Sequence, residues 1–412
     1  MNLQKRLKDI IDFLRPYQNI WQNEIMLIYP HELSDYPQNW LSDLLRFKDH
    51  ENLMKLEKKE VFDLIQDSSL IEFYQRRKEL IEIPFCHASP PLPETSFTFL
   101  YVIPKKQHEI RRLAPKIHAL SLENKVGKII DIGGGIGLLA QTLVNQYNLV
   151  VHSIDLDEKL QETGKLRHQK NAKNPPNYVQ YHNIKVGKDS PSFVHLIDSS
   201  SMTIGLHTCG ALANEQLKAS AFKKTKSIIS FGCCYHKIEE EKDQAMSEFT
   251  NNYGPLKLSL FALTLASRAH MKLPEEDFEF KLKVKYFRYA IHFFLCDHLN
   301  TREMITLGNS PKKLYYQDFA TYAEEQLKRL ELGEKFSSEY LNEYYNSIER
   351  QELIRTMLAA GIIRDSFGRL LELYILLDRA LYLEENGYKT TIEQCFDEEI
   401  SPRNIGIFSQ LR

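Results

Sequence analysis

The chain has little of what marks a secreted, membrane-spanning or nucleic-acid-coating protein. Its six cysteines are scattered over 412 residues in no ladder of spacings. That excludes a disulfide scaffold and fits a reducing, cytoplasmic setting. No apolar run reaches the roughly 18 residues of a membrane span, and Met1 to Asp9 lack the apolar stretch of a secretory signal. Neither charge is in excess: 53 Lys and Arg face 55 Asp and Glu, a formal net charge of −2. That balance argues against a histone-like or broadly basic binder and leaves room for a local basic patch. Internal repeats and low-complexity tracts are absent. At roughly 150 residues per domain the length corresponds to about two or three domains, enough to bury a core without disulfide or metal staples.

Three textures follow one another along the chain. Leu3, Leu7, Ile10, Ile11 and Leu14 recur at helical spacing, with Pro16 as a stop. Further helical pattern runs through Trp40-Leu41, Leu44-Leu45, Leu53 and Val61 to Ile65. Pro84 to Pro93, with four prolines in ten residues, denies a regular element and closes an N-terminal helical region, residues 1–95. Residues 96–238 alternate short β-branched runs with longer helical patterns. The spacing predicts strands at Lys128–Ile132, Leu149–Ile154, Tyr178–His182, Ser201–Leu206 and Ser227–Phe231, the order of a doubly wound α/β parallel sheet. Residues 239–388 read as a helical insertion, with Leu370, Tyr374, Leu377 and Leu381 on one stripe and solvated charge runs such as Glu239-Glu240-Glu241-Lys242. Residues 389–412 return to strand texture, Thr390–Phe396 and Asn404–Phe408 about the Ser401-Pro402-Arg403-Asn404 turn, as a closing antiparallel hairpin.

The most informative stretch is Lys128 to Gly137: an apolar strand ending in Asp131, then a loop with Gly133, Gly135 and Gly137, then the helical run Leu138, Leu139, Leu143, Val144. Glycines permit positive φ and let a ligand approach the backbone. Asp155 ends the next strand, 18 residues beyond Gly137, where an acid accepts hydrogen bonds from both hydroxyls of a ribose. Together they describe a nucleoside-cofactor pocket. The glycines miss the dinucleotide spacing G-x-G-x-x-G, since the third position counted from Gly133 falls on Leu138. The spacing found, D-x-G-x-G-x-G, resembles that of S-adenosylmethionine-dependent methyltransferases. A glycine-rich turn with no ligand is the plain alternative. An acid at Asp131 suits a cationic ligand better than a pyrophosphate.

The carboxyl ends of the fourth and fifth strands carry Leu206-His207-Thr208-Cys209-Gly210 and Gly232-Cys233-Cys234-Tyr235-His236-Lys237. In an open α/β sheet chemistry sits at that edge. Three readings compete. His207 or His236 serves as proton acceptor at the methyl acceptor; Cys209, Cys233, Cys234 and a histidine make a zinc-like set; or all are structural. Adjacent cysteines rarely ligate one ion and no C-x-x-C occurs, so the cysteines are read as small buried apolar groups and no metal is expected. The histidines are read as functional. Upstream, Lys105-Lys106-Gln107-His108-Glu109-Ile110-Arg111-Arg112 is either a solvated helix face or a contribution to the site. In the second case Lys105 or Lys106 lies near the cofactor carboxylate and His108 or Glu109 lines the mouth.

Taken together these motifs resemble the methyltransferase-like protein 25 family, also called ribosomal RNA adenine dimethylase domain-containing. The resemblance includes Phe13 to Tyr17, Lys105 to Glu109, Asp131 to Gly137, Leu206 to Gly210, Gly232 to Lys237, Leu377-Asp378-Arg379 and Ser401 to Asn404. It implies a Rossmann-like methyltransferase sheet using S-adenosyl-L-methionine. Asp131 and the three glycines then cradle the cofactor, Asp155 holds the ribose, and His182 or Asn183 lies near the adenine. The paired His-x-Cys-Gly and Cys-Cys segments look, more distantly, like those of transfer RNA 2′-O-methyltransferases. Adenine dimethylases share an Asn-(Leu or Pro)-Pro-aromatic motif after the fourth strand, where this chain has His207 to Gly210. The expected acceptor is RNA, with Lys105, Lys106, Arg111, Arg112 and Lys116 as phosphate contacts and Lys312-Lys313 in reserve. A protein acceptor is the rival, and a cofactor-fold binding module the non-enzymatic one.

Overall fold

The computed structural model describes residues 2–29, 31, 33–47, 64–86, 90–93, 102–171, 179–238, 244–268, 275–299, 305, 307–332 and 335–412. The helical pattern at Leu53 and Val61, the start of the third predicted strand at Tyr178, and the run Glu239 to Lys242 lie outside them.

Two compact units form. The first comprises Met1–Pro16, Leu80–Met271 and Gly368–Arg412, and the second Tyr17–Glu79 and Lys272–Phe367. The first holds a seven-stranded sheet in the order β3-β2-β1-β4-β5-β7-β6. Its strands are β1 Lys128–Ile132, β2 Val151–Ile154, β3 Gln180–His182, β4 Ser201–Cys209, β5 Ser227–Cys233, β6 Tyr388–Gln394 and β7 Ile405–Leu411. β1 to β5 pair in parallel and β7 runs antiparallel between β5 and β6. This is the doubly wound α/β sheet with the closing hairpin expected from the sequence. Twofold alternation on β1 explains the two apolar layers. Ile129 joins Ile110, Leu113, Leu139 and Leu143 on one face, while Ile130 and Ile132 join Ile154, Phe193 and Ile197 on the other.

β4 and β5 run further than the apolar runs imply, through Cys209 and Cys233. A bulge at His207 shifts the register: Leu206 pairs with Phe231, Thr208 with Gly232, and Cys209 with Cys233. Polar residues thereby continue the ladder, which hydrophobicity alone does not announce.

The units also divide the chain differently from its sequence textures. Helix Leu3–Leu14 buries its Leu3, Leu7, Ile10, Ile11 and Leu14 stripe within the first unit. Residues 17–79 of the same N-terminal region belong to the second. Of the stretch 239–388, helices Glu248–Tyr253, Leu260–Ser267 and Gly368–Glu385 belong with the sheet. Helix Gly368–Glu385 is buried over nearly its whole circumference, from Gly368 to Leu381 and again at Leu383, the signature of a helix inside a core. Its polar residues therefore need partners. Asp378 accepts from the backbone N–H of Met246 at 2.7 Å, the N–H of Ser247 at 3.0 Å and the Ser247 hydroxyl at 2.8 Å. Arg369 donates to Glu372 at 2.6 Å and to Asn404 at 3.0 Å. Asp378→Ala strands three donors, so it is expected to cost about 3–5 kcal/mol. The thermal midpoint should fall by on the order of 10 °C, with Asp378→Asn between it and the wild type. An unchanged melting curve for the alanine variant would refute this.

The second unit is helical, its larger elements being Glu275–Leu299, Phe319–Arg329, Ser338–Asn346 and Ile348–Asp365. Aromatic rings fill its interior, with Phe287 against Phe319, Tyr322 and Tyr345, and Tyr17 against Trp40, Phe73 and Phe367. No helix among the described residues is long and apolar enough to cross a membrane.

Candidate active site

The loop after β1 is built around its glycines. Gly133, Gly135 and Gly137 take φ of 68°, 58° and 70°, so every second residue is left-handed, a conformation glycine adopts without penalty. Gly134 is required for another reason: a Cβ there would lie 2.3 Å from Ser153 Oγ and 2.8 Å from Asp131 Oδ2. Side chains from the flanking elements hold the loop. Gln161 donates to the Gly135 carbonyl at 2.6 Å, Gln141 to the Ile136 carbonyl at 2.9 Å, and Asp155 Oδ2 accepts from the Gly135 N–H at 2.9 Å.

Asp131 lies beneath this loop, 2 % exposed, with Oδ2 unpartnered. Burial pushes its carboxyl up to about 6, against a lowering pull from the Lys106 charge. Asp155 has its oxygens on the Gly135 and Asp157 N–H groups, and a carboxylate of about four lone-pair sites retains capacity on each oxygen. Asn183 donates to the carbonyls of Asp155 and Leu156 at 3.1 and 2.8 Å, fixing the loop after β2. His182 Nε2 meets His152 Nδ1 at 2.9 Å, the rings stacked at 5.1 Å.

At the carboxyl end of β4, His207 has φ +67 and its Nε2 lies 2.7 Å from Glu109 Oε1. The same oxygen accepts from the Ser401 hydroxyl at 2.6 Å, and Lys105 Nζ stands 3.8 Å away. Burial raises the Glu109 carboxyl, yet hydrogen bonds from His207 and Ser401 and the His207 charge outweigh it and hold the group below its usual range. His236 donates its backbone N–H to Ser267 Oγ at 3.3 Å, and its buried Nδ1 has no partner. Among the described residues no hydrogen bond joins the rings of His207 and His236. Cys209 Sγ lies 3.3 Å from Cys233 Sγ, and burial pushes both thiols up.

Lys105 is thus drawn to Glu109, while Lys106 is the lysine whose charge reaches Asp131. His108 accepts the Asp397 N–H at 3.1 Å and sets its ring edge-on to Phe396, bracing the turn between β6 and β7. Three residues that the spacing did not single out, Gln141, Gln161 and Ser401, hold the site together. Of these only Ser401 carried a sequence signal, through its Ser-Pro-Arg-Asn turn. That turn and Leu377-Asp378-Arg379 brace the rim: Arg403 stands 4.0 Å from Glu372, and Arg379 lies over the Tyr235 ring at 5.4 Å.

A loop of alternating left-handed glycines between two strand-end acids is the feature a family comparison can decide. Residues 105–241 match the family model described as a methyltransferase domain. The matched stretch lies within the first unit. Over 242 residues the chain is 27% identical to a Mus musculus protein named "Probable methyltransferase-like protein 25", covering 50% of this chain and 37% of the relative. A Homo sapiens protein of the same name is 26% identical over 238 residues, covering 50% of this chain and 36% of the relative. The matched stretch therefore spans little more than a third of those proteins. Residues 105–241 contain β1 to β5, the glycine loop, His207, His236 and three of the six cysteines, Cys209, Cys233 and Cys234.

Proposed function

We propose that the chain is an S-adenosylmethionine-dependent methyltransferase acting on RNA. The observation that carries the cofactor reading is the unpartnered Oδ2 of Asp131 beneath the glycine loop. A buried carboxylate with no countercharge in contact is stabilised by a cation above it, and the spare lone pairs of Asp155 suit ribose hydroxyls. When bound, S-adenosylmethionine supplies a methyl group made electrophilic by its sulfonium. The protein then has to hold the acceptor in line and take its proton. Nε2 of His207 is committed to Glu109, so Nδ1 is the atom left to receive that proton, with Glu109 fixing the ring. Transfer to a nitrogen or hydroxyl acceptor draws mostly on positioning.

Three of the five cations expected to meet phosphate have internal partners, Lys105 among them through Glu109. Lys116 pairs with Glu393, and Arg111 donates to the Leu92 carbonyl at 2.6 Å. The RNA reading therefore rests on Lys106 and Arg112, with Lys312 and Lys313 exposed on their own helix. The test is transfer of labelled methyl from S-adenosylmethionine into a lysate lacking the protein, with Asp155→Ala as control. Its melting curve is recorded alongside, because Asp155 also anchors Gly135. Ribonuclease-sensitive label is expected. Label that survives ribonuclease and yields to protease would transfer the reading to a protein acceptor. Absence of label, together with absence of cofactor binding, would leave a binding module.

A further inference from the structure

Six non-glycine residues have positive φ among the described residues: Lys125, Asn148, His207, Lys224, Cys234 and Glu331. Asn148 and Lys224 are helix C-caps, and Lys125 and Glu331 each follow one, where the left-handed conformation terminates a helix. His207 and Cys234 end no helix. Each costs on the order of 1 kcal/mol or more, so a compensating role is required.

Their joint consequence is a cluster of three sulfurs. The bulge at His207 places Cys209 opposite Cys233 on adjacent strands. Without it Thr208 would face Cys233 and Cys209 would face Cys234. At Cys234, φ 49° and ψ 48° break the strand alternation that would send neighbouring side chains to opposite faces. The ligand atoms of Cys209, Cys233 and Cys234 all lie within 4.8 Å of one another, Cys209 and Cys233 at 3.3 Å. Three thiolates on one tetrahedral zinc, with Zn–S near 2.3 Å, sit about 3.8 Å apart. That value falls between the 3.3 Å contact and the 4.8 Å limit that encloses all three sulfurs. The objection that adjacent cysteines rarely share an ion assumes an extended backbone, and Cys234 does not have one.

We propose that Cys209, Cys233 and Cys234 bind one zinc ion through three thiolates, leaving its fourth coordination position to water at the acceptor rim. Three S–H bonds break, three Zn–S bonds form, and three protons pass to solvent. No redox partner is needed. Thiolate donors in a tetrahedral array select zinc over hard cations. Cys233 is buried whereas Cys209 and Cys234 are partly exposed, so the sulfur triangle opens on its outer side. The turn after β4 is wedged against this corner, since a Cβ on Gly210 would lie 2.6 to 2.8 Å from the backbone and Cβ of Lys237. His236 falls outside the cluster of mutually close ligand atoms, so the set is three sulfurs.

The test is direct and needs neither cofactor nor acceptor. Metal content of the full chain purified from zinc-supplemented culture is measured first. The metal-free protein is then titrated with Co2+ and its thiolate-to-cobalt charge-transfer absorption followed. About one equivalent of zinc and a charge-transfer band are expected, with Cys209→Ser and Cys234→Ser each weakening Co2+ binding roughly tenfold or more. Cys296→Ser, a buried cysteine outside the cluster, leaves both readouts intact. A wild-type chain with no stoichiometric metal and no such band would overturn the proposal, even if the serine variants fail to fold. So would a band surviving in both variants, or a Cys209–Cys233 disulfide in peptide maps of unreduced protein. Metal binding with no methyl transfer would leave this site standing and sink the catalytic reading alone.

Discussion

Asp131→Asn is expected to raise the thermal midpoint of the cofactor-free chain at pH 8 while weakening its hold on S-adenosylmethionine. The carboxyl is buried and held near 6 in the folded chain, against an ordinary value of 3.8. The folded state therefore binds more protons than the unfolded one between those values, and stability falls as pH rises through that window. Below about pH 4 the effect is absent. Above about pH 6 it is complete, some two pK units or about 3 kcal/mol. Replacing the carboxylate with its neutral isostere recovers that amount, roughly 6–12 °C for a unit of this size. For a cation above the loop the change is unfavourable, by about 2 kcal/mol or roughly thirtyfold in affinity at the effective dielectric of such sites. Wild-type affinity should rise as pH passes through 6, and that of the variant should not. Melting curves at pH 4.5 and 8 with calorimetric titrations of the cofactor measure both. A variant less stable at pH 8, or one that binds the cofactor as well as wild type, would show that Asp131 has another role.

The second large effect is expected at Glu109. Glu109→Ala leaves His207 Nε2 and the Ser401 hydroxyl without their shared acceptor. With its ring released, His207 no longer presents Nδ1 in one orientation, and turnover should drop about 10²–10⁴-fold, the span general-base positioning commands. Cofactor affinity should stay within about twofold, as Glu109 does not touch the glycine loop. Glu109→Gln keeps an oxygen for the two donors and should retain more activity than alanine. There is also a stability signature of opposite sign to that of Asp131. The Glu109 carboxyl is held below its ordinary value, so its contribution is present above that value and is lost as pH falls through the folded one. Equal losses of turnover and cofactor affinity would indicate a collapsed site. Unchanged turnover would remove His207 from the chemistry.

The two sites differ in how far they are legible in sequence. The glycine loop is a local object. Alternating left-handed residues demand glycine at every second position, the strand before them demands β-branched residues, and both requirements fall within ten consecutive positions. The spacing D-x-G-x-G-x-G and Asp155 could therefore be read directly. The same holds for the order of strands β1 to β5, because short β-branched runs separated by helical periods permit few other topologies. The Glu109–His207–Ser401 set is not local. Its members are separated by 98 and 292 positions along the chain from Glu109, and no periodicity links a helix preceding β1 to the turn before β7.

The remaining decisions were also tertiary. Whether helix Gly368–Glu385 belongs to an insertion or to the core depended on which unit buries its second face, and its stripe of leucines is compatible with either. Whether two adjacent cysteines converge or diverge depended on one backbone torsion pair at Cys234. The sequence determined the sheet, its carboxyl edge and the glycine loop, because these rest on short-range sterics and periodicity. The three-sulfur cluster and the histidine–carboxylate pair were decided only in three dimensions, by a strand bulge and a left-handed residue whose cost no local pattern discloses.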